Sequence, residues 1–87
     1  MELNGNIIFG EFDRPSNAFI LQKVKHVPTE TMLSEKQLLS LYNYLHQHKH
    51  DEDGQVITLD DDMPLLLTQK EIDQLLDDLD HIRSLYH

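Results

Sequence analysis

The chain of 87 residues has room for one small domain, contains no cysteine and carries a formal net charge of −9. Disulfides, thiolate metal sites and a cysteine nucleophile are therefore excluded. Direct binding to nucleic acid or to an anionic membrane is disfavoured, because attraction to phosphate needs Lys and Arg.

The first residues, MELNGNIIFGEF, have no basic leader. No stretch approaches the roughly 20 apolar residues that span a bilayer. With the lack of cysteine, this predicts a soluble, cytoplasmic protein. Asn6–Phe12 and Ala18–Lys25 are rich in β-formers and are separated by DRPSN, a turn by composition. The spacing predicts a β-hairpin.

A helix is predicted from about Glu35 to His48. Ser34 followed by Gln37 makes a capping box, and Leu33 before the cap can staple onto Leu38. Leu38, Leu41, Tyr42 and Leu45 fall on one face. Next comes HQHKHDEDG, in which His46, His48 and His50 alternate ahead of Asp51, Glu52 and Asp53. Gln55–Leu59 reads as a short strand. Met63–Leu67 reads as a further strand or an extended lead-in, because Pro64 blocks helix there. The second helix is predicted from about Gln69 to Leu85, with Thr68 and Glu71 as its capping box and Leu67 with Ile72 as its staple. Its apolar stripe is Ile72, Leu75, Leu76, Leu79, Ile82 and Leu85.

Leu33–Leu45 and Leu67–Leu79 align without a gap at an offset of 34. Two units are too few for a solenoid, and shared rules for starting a helix account for the match. The expected fold is α+β, with a single acidic domain over residues 1–87. A small antiparallel sheet, made of the N-terminal hairpin plus one short strand, is packed with two amphipathic helices in the order ββαβα.

Charge is the main guide to function. Residues 1–50 hold five acids and five bases, whereas residues 51–87 hold eleven acids against Lys70 and Arg83. The whole net charge therefore lies in the second part. Asp73, Asp77 and Asp80 recur at i, i+4 and i+7 on the second helix, opposite the leucine stripe, with Asp78 beside them. Asp60, Asp61 and Asp62 add a further cluster. An array of this kind resembles a run of phosphates, and its field steers a basic partner. The expectation is a protein-binding inhibitor or regulator that covers the basic, nucleic-acid-binding surface of another protein by mimicking nucleic acid. Small inhibitors encoded by phages and mobile elements have this profile. Leu39, Tyr44 and Tyr86 are the apolar anchors expected at the rim of such an interface.

Two alternatives come from other classes. The first is a metal-responsive module using His46, His48, His50, Asp51 and Asp53. A helix running through His48 separates these histidines, because side chains two apart diverge on a helix. A calcium loop over Lys49–Asp60 matches at Asp51, Asp53, Gly54 and Asp60 but has Lys49 where the first ligand belongs. The expectation is thus no metal and no cofactor. The second alternative is a homo-oligomeric structural protein, such as a homodimer, associating through the apolar rim residues or through the hairpin's open strand. Catalysis is not expected: the acids lie in polar runs that do not push carboxyl pKa values apart, and the three glycines form no phosphate loop.

Overall fold

A computed structural model describes residues 1–58 and 64–87. Four antiparallel strands follow one another as a meander, β1 (Glu2–Asn4), β2 (Ile8–Asp13), β3 (Ala18–Val24) and β4 (Val27–Ser34). Helix α1 (Glu35–Gln47) follows without a loop. A separate two-stranded hairpin, β5 (Gln55–Thr58) and β6 (Pro64–Leu67), then leads into α2 (Gln69–Arg83). The fold is mixed α+β, as the periodicities indicate.

Both helices start where the capping boxes place them. Ser34 Oγ accepts from the Gln37 N–H at 3.2 Å while Gln37 Oε1 accepts from the Ser34 N–H at 2.9 Å. Thr68 and Glu71 repeat these two bonds at 3.2 and 2.9 Å. Each box satisfies donors that the first helical turn leaves open. The staple positions Leu33, Leu38, Leu67 and Ile72 are all buried.

The strands depart from expectation in two ways. First, the sheet has two more strands than the predicted hairpin. The β3–β4 turn is Lys25-His26, closed by the Val24 and Val27 pair, and it carries no Gly, Asn or Asp to mark it. Lys25 holds a left-handed φ of 60°. Its N–H donates to Ile7 O at 2.8 Å, and its ammonium pairs with Glu71 at 2.9 Å. Tertiary contacts thus hold a turn that local propensity does not favour. Second, β5 joins β6 and not the meander, with Val56 opposite Leu66 and Ile57 opposite Leu65.

Alternation along the meander sends Ile8, Phe12, Phe19, Leu21, Val24 and Leu33 to one face. Leu38 and Leu45 of α1, the α2 stripe, and Ile57, Leu65 and Leu67 of the hairpin cover that face as one continuous core. The opposite face, with Glu2, Glu11, Lys23 and Met32, is open to solvent.

Candidate partner-binding face

Helix α2 is amphipathic. Ile72, Leu75, Leu76, Leu79 and Ile82 are buried, and Asp73, Asp77 and Asp80 are exposed. At 1.5 Å per residue, the three carboxylates are spaced roughly 6 and 4.5 Å along the axis. Among the described residues the ion pairs are Lys25–Glu71 and His48–Asp51, so none of the three is neutralised in that way. Asp80 lies 3.5 Å from the Tyr42 hydroxyl, and the Arg83 guanidinium lies over the same Tyr42 ring, 5.8 Å from its centroid. At the start of the helix, the Thr68 N–H holds the Glu71 carboxyl below its ordinary pKa, and Lys25 adds to this.

Asp78 does not belong to this face. It is 2 % exposed. Its Oδ1 accepts from the Asn6 N–H at 2.8 Å, and its Oδ2 accepts from the N–H groups of Ile7 at 2.8 Å and Ile8 at 3.2 Å. The side chain closes the loop between β1 and β2 onto α2. Gly5 is required by the same contact, because a Cβ there would lie 2.5 Å from the Asp78 carboxyl carbon. In sequence, Asp78 reads as one more acid in DDLD. The signal that separates it is helical phase, since it falls between Leu75 and Ile82 on the buried stripe.

Asp60, Asp61 and Asp62 lie outside the described residues. The Asp51–Asp53 turn abuts the start of α2. Gly54 closes it with φ +73°, seated so that any Cβ would collide with the Leu67 carbonyl oxygen. The histidines do not converge. His46 lies on α1 and packs its ring near Tyr42, and His50 is exposed. His48 caps α1 and contacts Asp51 at 2.9 Å. Gln55 donates to the same Asp51 oxygen at 2.9 Å, and the Tyr44 hydroxyl donates to Gln55. Tyr44 also packs its ring 4.7 Å from that of His48. This polar ring ties the end of α1 to the start of β5. Among the described residues, no three His, Asp or Glu side chains are placed to hold a metal ion.

Two of the three apolar anchors serve the interior. Leu39 is half-buried against the core. Tyr86 meets Phe12 edge to face, with centroids 5.0 Å apart, and donates to Leu33 O at 2.8 Å. Tyr44 is exposed. Burial pushes the Tyr86 phenol up to about 12 from its ordinary 10. A pKa raised by folding contributes stability that is fully present below 10 and is lost as pH rises through about 12. Tyr86→Phe should therefore cost about 0.5–1.5 kcal/mol at neutral pH from the lost hydrogen bond. It should also flatten the fall in stability above pH 10. Urea denaturation of both proteins across that range checks this, and parallel curves would refute it.

No helix among the described residues is long and apolar enough to cross a membrane. Comparison of the chain with protein-family models, with curated proteins and with solved structures yields no match.

Proposed function

We propose that the protein acts by binding, through the outer face of α2, to the basic surface of another protein. The observation that carries this is the exposed row of Asp73, Asp77 and Asp80 on a helix whose opposite face is fully engaged in the core. A rigid row presents its charge without ordering a loop on binding, which keeps the entropic cost of association low. The net charge of −9 supplies the long-range field that raises the encounter rate with a basic partner. Occlusion of a nucleic-acid-binding surface is the regulatory outcome that best suits such a row.

The test uses wild type and the triple variant D73N/D77N/D80N as paired baits in a lysate treated with nuclease. A basic protein should bind wild type and leave as salt rises. With that protein purified, the triple substitution should slow association by roughly tenfold at low salt and flatten its salt dependence. Equal on-rates for the two baits would refute the proposal.

A further inference from the structure

β4 is the outer strand of the meander and, among the described residues, pairs only with β3. Below its middle lies a cavity of about 210 Å³. Thr31 and Met32 of β4, Leu41 of α1 and Ile57 of β5 surround it, and the buried Leu75 and Leu79 form its floor. Among the described residues no charged side chain lines it. An open strand edge thus lies directly above an apolar hole that reaches the centre of the core.

We propose that the β4 edge and this cavity take an extended segment of a partner protein, in which one large apolar side chain is flanked by Lys or Arg. An added strand hydrogen-bonds to the edge, and its alternate side chains point inward, so one of them stands over the cavity. An apolar cavity of roughly 150 Å³ accommodates a benzene ring, so 210 Å³ suffices for an aromatic or large aliphatic side chain.

Charge argues for the basic partner and against a second copy. Two copies bring −9 against −9. Pairing two β4 strands also places two Glu30 carboxylates on one short ribbon. Around the edge the exposed Glu30 and Glu35 balance Lys36 and Lys23, the latter opposite Pro28, so the attraction for a basic segment comes from the field of the whole protein's −9. This site uses none of the α2 carboxylates and stands or falls separately from the face proposed above.

The probe is a short synthetic peptide of alternating lysine and threonine with a central phenylalanine, compared with the same peptide carrying a central serine. Both are titrated into isotope-labelled protein. The phenylalanine peptide should shift the amides of Thr31, Met32 and Leu33 and the methyls of Leu75 and Leu79. It should bind at least about tenfold more tightly than the serine peptide. Filling the cavity with Leu41→Phe should abolish the difference between the two peptides. The wild-type comparison tests the site on its own should that variant fold poorly. Equal affinity for the two peptides would overturn the proposal, as would shifts confined to Asp73, Asp77 and Asp80. Association of the protein with itself through the β4 amides, without peptide, would assign the edge to a second copy and overturn it equally.

Discussion

Asp78→Ala should lower the free energy of unfolding by about 3–5 kcal/mol. Three backbone N–H groups, those of Asn6, Ile7 and Ile8, depend on this carboxylate. A methyl group leaves all three without that acceptor, at a site that is part-buried at Asn6 and Ile7 and buried at Ile8. Bonds to a carboxylate are stronger than neutral ones, and a domain of this size has about 5–15 kcal/mol in total. Asp78→Asn should recover little, because its amide nitrogen meets donors with another donor. Gly5→Ala should act on the same contact from the other side, by driving a Cβ into the carboxyl group. Urea denaturation measures each cost. A loss below about 1 kcal/mol for Asp78→Ala would mean that the loop finds other acceptors.

Gly54→Ala should cost about 2–4 kcal/mol. One part is the left-handed φ of +73°, which an L side chain tolerates poorly. The other is the collision of the new Cβ with the Leu67 carbonyl, a backbone atom fixed between β6 and the Thr68 cap. The damage falls where the acidic turn, β5 and the start of α2 meet. Hydrogen exchange should therefore quicken first in the β5–β6 amides. A variant as stable as wild type would show that the turn can reseat without Gly54.

Both helices were readable because their signals are local. A capping box spans four residues, and an apolar stripe repeats every turn, so each is visible without knowledge of the rest of the chain. β4 was not readable in the same way. Its turn is held by Ile7, Leu66 and Glu71, all distant in sequence from Lys25. Still, the inward alternation of Val27, Thr29, Thr31 and Leu33 carries the period of a strand and was available. The assignment of β5 to a separate hairpin depends on which strand edge it meets, and composition does not encode that.

The candidate face divides along the same line. Asp73, Asp77 and Asp80 follow from helical phase. Phase also places Asp78 inside, but a carboxylate in a leucine stripe looks out of place until its three donors are seen. Tyr86 reads as a rim aromatic because it lies just past the end of the predicted helix, and only the approach of Phe12 and Leu33 brings it in. The histidine alternation suggests convergence in an extended chain. The helix through Gln47 separates His46 from His48 and hands the latter to Asp51.

The clasp between Asp78 and the Asn6–Ile8 loop joins residues 70 to 72 positions apart. On a ribosome the acceptor therefore arrives long after its donors. Once Ser34 has been added the meander is complete in sequence, yet until α2 follows, Phe12, Phe19, Leu21 and Val24 have no helix α2 to cover them. Closing so long a loop is entropically costly until the packing it permits is available. Folding should therefore wait for α2 to leave the exit tunnel. Until then the nascent chain exposes a sheet face on which chaperones, or neighbouring nascent chains, can act.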